Sequence, residues 1–183
     1  MSEPLPEEAR TTRTDSGATL GNLAEQSDLL LVFLRHTGCT FCREALADLA
    51  ARRAAIESRG VRIVLAHPGS REQAAGAFAR YGLDDLARIS DPECRLYRAF
   101  GLKRGTLWQL FGPKVAWRGL QAGLLAGHGI GRLAGNGFQM PGVFLIAGGR
   151  IAAGYRHRTA ADRPDYAALA VCEPGVEGKA PRG

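Results

Sequence analysis

A continuous apolar run, Leu29 to Leu34, leads through Arg35-His36-Thr37-Gly38 into Cys39-Thr40-Phe41-Cys42, and few folds accommodate that junction. An unbroken Leu/Val/Phe run of this length reads as a central strand covered on both faces. Beyond it, Ala45, Leu46, Leu49, Ala50 and Ile56 recur at helical spacing and Gly60 is a natural stop, so Phe41 to Arg59 is expected to be helix. Both cysteines therefore sit where a buried strand feeds a helix.

The same alternation continues along the chain. Val61 to Ala66 reads as a second buried strand, ended by Pro68 and Gly69. Ser70 can cap a helix over Arg71 to Tyr81, with Gly82 after it. Ile89 lies on a short strand before Asp91-Pro92, and Glu93 to Phe100 is a short helix. Gly142 to Ala147 is a strand, Gly148-Gly149 a hairpin turn, Arg150 to His157 the returning strand, and Pro164 to Val171 a last helix. Between these, residues 102–135 hold Leu107, Trp108, Leu110, Phe111, Val115, Trp117, Leu120, Leu124 and Leu125, with Gly112-Pro113 inside. This segment reads as a helical insertion that covers the domain, walls the site and breaks at Pro113. Its two tryptophans belong at an edge, where each indole N–H finds a partner.

Three parts are expected: a flexible arm over 1–20, one α/β domain over 21–173 with its insertion at about 102–135, and a frayed tail over 174–183. The chain has 183 residues, 45% of them apolar and 23% charged, which suits a globular domain with a core of its own. The run at Leu29 is too short to span a bilayer, which takes ~20 residues. The polar N-terminus has no secretory pattern, so no transmembrane segment and a cytoplasmic location are expected. The net charge is +6, yet no dense basic run or RNA-binding aromatic motif accompanies it, so no nucleic-acid partner is expected.

Four cysteines are too few for a disulfide scaffold, and two of them lie three positions apart. Positions i and i+3 of a helical turn are ~5–6 Å apart at Cβ. A disulfide needs Cα atoms ~4.4–6.8 Å apart, so such a turn opens and closes one with little movement. Cys39 falls at the cap, where unpaired N–H groups favour a thiolate, and Arg35, His36 and Arg43 are read as adding positive charge. Cys42 lies one turn deeper. Cys39 is then the attacking thiolate and Cys42 the resolving thiol. Gly38 keeps the approach open, and the hydroxyls of Thr37 and Thr40 can bond the thiolate or a peroxide. A structural zinc would need a second ligand pair, and Cys94, Cys172 and four scattered histidines supply none, so neither metal nor cofactor is expected. Isolated Cys94 reads as a small buried hydrophobe, and His157 as a surface group at a strand end.

Three stretches carry a family resemblance: Val32-Phe33-Leu34-Arg35-His36-Thr37-Gly38-Cys39-Thr40-Phe41-Cys42-Arg43-Glu44, then Phe138-Gln139-Met140-Pro141-Gly142-Val143-Phe144, then Tyr155-Arg156-His157-Arg158. Together with Asp91-Pro92 and Leu96-Tyr97-Arg98-Ala99-Phe100-Gly101, they resemble the peroxiredoxin-like AhpC/TSA antioxidant family, whose relatives include selenoprotein L and peroxiredoxin-like redox-regulatory proteins. The resemblance covers about Asp28 to Leu169. It implies a thioredoxin-like fold, a central mixed sheet flanked by helices, with the helical insertion before the proline strand. In such folds a cis proline faces the C-x-x-C, so the Met140–Pro141 bond is expected to be cis and to form a substrate groove beside Cys39. Where typical peroxiredoxins have P-x-x-x-T-x-x-C, Val32 and His36 stand here, and the assisting arginine falls to Arg35 or Arg156.

The resulting expectation is a thiol-dependent oxidoreductase that reduces peroxides or disulfides through a Cys39–Cys42 dithiol cycle. Its partners would be a peroxide or disulfide substrate and a thioredoxin-, glutaredoxin- or glutathione-type reductant, with a homodimer possible. The alternative is a non-catalytic redox-sensing or binding module on the same fold.

Overall fold

Leu29, Leu30, Leu31, Val32 and Phe33 are each at most 1% exposed, and burial on both faces places their strand in the middle of a sheet. The computed structural model describes residues 2–36, 38–112, 115, 117 and 138–171. The strands are β1 (Glu3–Pro4), β2 (Asp28–Phe33), β3 (Val61–His67), β4 (Ala87–Ser90), β5 (Gly142–Ala147) and β6 (Arg150–Arg156). They form one six-stranded sheet in the order β1-β6-β5-β2-β3-β4. β2, β3 and β4 run parallel, while β5 is antiparallel to β2 and β6 to β5. The β5–β6 turn needs positive φ at both central residues, and Gly148 (55°) and Gly149 (71°) supply it.

The pleat of β2 divides the core. Leu30, Val32 and Leu34 face a cluster with Leu46, Phe78 and Tyr166; Leu29, Leu31 and Phe33 face a second with Leu20, Tyr97 and Phe100. The first is roofed by α3 (Thr40–Glu57), α4 (Arg71–Arg80) and α7 (Tyr166–Leu169), and the second by α1 (Glu7–Thr11), α2 (Leu20–Gln26) and α5 (Arg95–Ala99). Ser70 starts α4 with a reciprocal capping box to Gln73. None of the described helices is long and apolar enough to cross a membrane.

Several boundaries differ from expectation for visible reasons. Residues 2–20 are not a loose arm: β1 pairs with β6, Leu5 and Ala9 are buried, and Asp15 pairs with Arg71 and Arg88. Two apolar side chains and an open sheet edge suffice to dock a segment that shows little periodicity. α5 starts late because Cys94 takes a left-handed backbone (φ 53°), and the Asp91 carboxylate accepts the N–H groups of Arg95, Leu96 and Tyr97. Cys94 itself is buried, and that burial raises its thiol pKa. α7 is confined to one turn, capped by Asp165.

Of the insertion, α6 (Leu107–Phe111) is described, opened by a capping box from Thr106 to Gln109 and ended at Gly112. Leu110 and Val115 are buried with Met140, Ala160 and Ala161, against Phe41, so this part packs beside the start of α3. Trp108 and Trp117 are 75% and 64% exposed. The rest of the insertion, residues 174–183 and Cys172 lie outside the described residues.

Candidate active site

Parallel pairing with β3 ends at Phe33–Ala66, where Leu34 N–H still donates to the Ala66 carbonyl. The chain then turns so that Cys39 caps α3: its N–H donates to the His36 carbonyl at 3.1 Å, and its carbonyl accepts from Arg43 N–H at 3.0 Å. Cys39 is 7% exposed and Cys42 lies beneath it at 4%.

The sulfurs share a proton unequally. The Cys42 thiol hydrogen-bonds Cys39, the Arg35 guanidinium lies 3.8 Å from the Cys39 Sγ, and the N–H groups of Cys42 and Phe41 point at that sulfur. Against the opposing effect of burial, these bring Cys39 down to about 6. The same hydrogen bond, then burial, then the Cys39 charge hold Cys42 well above the ordinary thiol range. At neutral pH the negative charge resides on Cys39.

The other expected residues fall unevenly around this pair. Gly38 is buried beside Cys39, Thr40 opens α3, Arg43 is half-buried on α3, and Thr37 lies outside the described residues. His36 is not the cation the sequence suggested: burial, then Arg35, lower its pKa to about 4. Of the two candidate arginines, Arg35 meets the sulfur. Arg156 instead donates to the Phe100 carbonyl at 3.0 Å and lies over the Phe144 ring.

Pro141 lines the same cavity as Cys39, and Met140 is buried nearby. The Met140–Pro141 bond is trans, not cis, since no described peptide bond is cis. The approach to β5 explains this. Gly105 N–H donates to the Phe138 carbonyl and Met140 N–H to the Lys103 carbonyl, so the chain arrives extended along a second ribbon. An extended entry needs no sharp turn and takes the trans isomer, the default by ~0.5–1 kcal/mol before proline.

Three parts of the wall were missed in the sequence. Glu44 is 7% exposed and pairs with Arg163 at 3.0 Å, and Arg163 also reaches Asp48. Asp162 holds the turn after β6, accepting from Arg158 N–H, Thr159 N–H, the Thr159 hydroxyl and the Tyr155 hydroxyl. His157 is a wall of the cavity, not a surface group. Burial brings its pKa to about 4 against the pull of Asp162. The available signal was register: Arg156 pairs with Gly142, so the next residue must lie beside Pro141.

The lowered Cys39 pKa, due first to the Cys42 hydrogen bond and then to Arg35, gives the site a measurable acid limb. Cys39 alkylation rises through a midpoint near pH 6 and is lost below it, because the thiol is protonated there. In Arg35→Met that midpoint moves up by about one unit, which costs the thiolate ~1.4 kcal/mol. Rates of iodoacetamide labelling at Cys39 between pH 4 and 9 check this; an unmoved midpoint would remove Arg35 from the electrostatics.

Comparison with known proteins converges on one family. The model for the AhpC/TSA antioxidant enzyme matches residues 48–160, well over half of the chain, beginning beyond the C-x-x-C. Peroxiredoxin-like 2A of Xenopus tropicalis is 28% identical over 142 residues, covering 75% of this chain; the chain spans 58% of that relative's length. Peroxiredoxin Q of Xanthomonas campestris has a similar structure, with a TM-score of 0.59 at 18% identity over 84% of this chain and 85% of its own. A thiol:disulfide interchange protein DsbE from Chlorobium tepidum superposes with a TM-score of 0.54 at 16% identity, over 84% and 83%. With its mixed sheet, flanking helices and matched residues, the chain belongs to the AhpC/TSA antioxidant enzyme family and has the thioredoxin fold.

Proposed function

We propose that this protein is a thiol-dependent oxidoreductase that reduces peroxides by cycling Cys39 and Cys42 between dithiol and disulfide. The observation that carries the reading is the Cys39 sulfur itself, at a helix start, 3.8 Å from Arg35 and hydrogen-bonded by Cys42. The Cys39 thiolate attacks one peroxide oxygen, the O–O bond breaks, and the alkoxide leaves, taking a proton from water to become the alcohol. Cys39 is then a sulfenic acid. Cys42 displaces its oxygen as water, and an external thiol of the thioredoxin, glutaredoxin or glutathione type reduces the disulfide. Pro141 lines the cleft beside Cys39, while Met140 packs away from it with Leu110 and Val115, so the substrate groove expected from a cis Met140–Pro141 bond is not carried over. Cys39 is only 7% exposed, a burial that still admits a small hydroperoxide.

The test is peroxide consumption with excess dithiothreitol, together with mass mapping after one equivalent of hydrogen peroxide or cumene hydroperoxide. The expected result is consumption proportional to protein, with a Cys39–Cys42 disulfide as the oxidised product. Consumption no faster than dithiothreitol alone would overturn the reading.

A further inference from the structure

Disulfide closure has a proton problem that the reduced site conceals. In the dithiol form the Cys42 thiol donates to the Cys39 thiolate. Once Cys39 is a sulfenic acid that anionic acceptor is gone, yet Cys42 must lose its proton to attack. Cys42 is buried, and burial by itself raises its thiol pKa, so it does not ionise unaided.

The acceptors around the cavity are unequal. Glu44 and Asp48 are both engaged by Arg163. Asp162 is occupied by the turn it holds. His157 is different: it lines the same cavity as Cys39, Cys42 and Pro141, and its buried Nδ1 has no hydrogen-bond partner among the described residues. Its backbone N–H donates to the Pro141 carbonyl and its ring packs on Tyr155, so the imidazole is held in place. The cavity offers about 20 Å³, enough for one water by the measure on which a water needs roughly 10–15 Å³.

We propose that His157 is the proton relay for closure of the Cys39–Cys42 disulfide, taking the Cys42 proton, directly or through one water, and delivering it to the oxygen that leaves Cys39. This rests on the dithiol cycle above. The step balances: the Cys42 S–H and Cys39 S–O bonds break, the S–S bond forms, and the proton joins the departing hydroxide as water. The Cys42 sulfur is oxidised and the Cys39 sulfur reduced. Burial keeps the ring neutral at pH 7, so it has a lone pair to offer.

Acid-quenched time courses after one equivalent of peroxide separate the two steps, with sulfenic acid trapped by dimedone and disulfide read by intact mass. In His157→Asn, which keeps a polar planar side chain but cannot take up a proton near neutral pH, sulfenic acid still forms and closure slows about a hundredfold, the lower range for general acid–base catalysis. In His157→Ala, added imidazole restores part of the closure rate. In the wild type, closure is slower in D2O. Closure by the Asn variant at the wild-type rate, or no solvent isotope effect on wild-type closure, overturns the relay. Failure of the wild type to form any sulfenic acid at Cys39 overturns the dithiol reading instead.

Discussion

Cys39→Ser reduces peroxide no faster than the dithiothreitol background, while Cys42→Ser still oxidises once per cycle and accumulates sulfenic acid or a mixed disulfide on Cys39. The asymmetry follows from where the two sulfurs sit. Cys39 has the charge of Arg35 and the N–H groups of Phe41 and Cys42 directed at it, whereas Cys42 is buried beneath it and holds its proton. A serine hydroxyl at position 39 has no accessible anion at neutral pH, so the first step has no nucleophile. Cys42→Ser leaves that nucleophile and keeps a donor at position 42, whereas Cys42→Ala removes the largest influence on it, the hydrogen bond from Cys42. In Cys42→Ala the alkylation midpoint therefore moves up from about 6. Competition labelling with mass mapping decides the roles: preferential alkylation of Cys42 at pH 7 would reverse them.

What the sequence made legible was local. The run at Leu29 placed β2 in the centre, since only a doubly covered strand tolerates apolar residues at every position. Cys39 and Cys42 could be set on the first turn of α3 because cap and spacing are properties of a few adjacent residues. What stayed hidden depends on partners far along the chain. The trans entry at Pro141 follows from a ribbon with residues 103–105. The neutral state of His36 follows from burial, which a sequence window does not measure. The acidic wall exists because Arg163, more than a hundred residues away, meets Glu44 and Asp48. His157 looked like a strand-end surface residue until β5 and β6 were paired in register. The sequence thus located the cysteine pair, while tertiary contacts assembled the groups around it.

The support beneath the site is as testable as the chemistry, and Tyr97→Ala is expected to carry the largest stability loss. Tyr97 is fully buried on α5, and its hydroxyl donates to the Leu34 carbonyl at 2.5 Å and to the Ala66 carbonyl at 3.1 Å. Those carbonyls lie at the ends of β2 and β3, where the chain leaves the sheet for the cysteines. Leu34 N–H already donates to Ala66, so the Leu34 carbonyl is the group that loses most when the hydroxyl is removed. Tyr97→Phe keeps the ring against Phe33, at 4.8 Å between centroids, and removes only the hydroxyl. Leaving a buried acceptor unsatisfied costs about 1–3 kcal/mol. Tyr97→Ala also opens a cavity beneath Phe33 and Phe100, and truncating a large buried aromatic to alanine costs about 3–5 kcal/mol in total. At roughly 2–4 °C per kcal/mol for a domain of this size, melting temperatures fall by about 2–12 °C in the Phe variant and 6–20 °C in the Ala variant. Calorimetry of the reduced proteins reads both numbers. Because the lost bonds anchor the strand that leads to Arg35, the Phe variant also loosens the Arg35–Cys39 contact and raises the alkylation midpoint of Cys39. A Phe variant melting with the wild type would mean that the two carbonyls find other donors and that the tyrosine contributes through its ring alone.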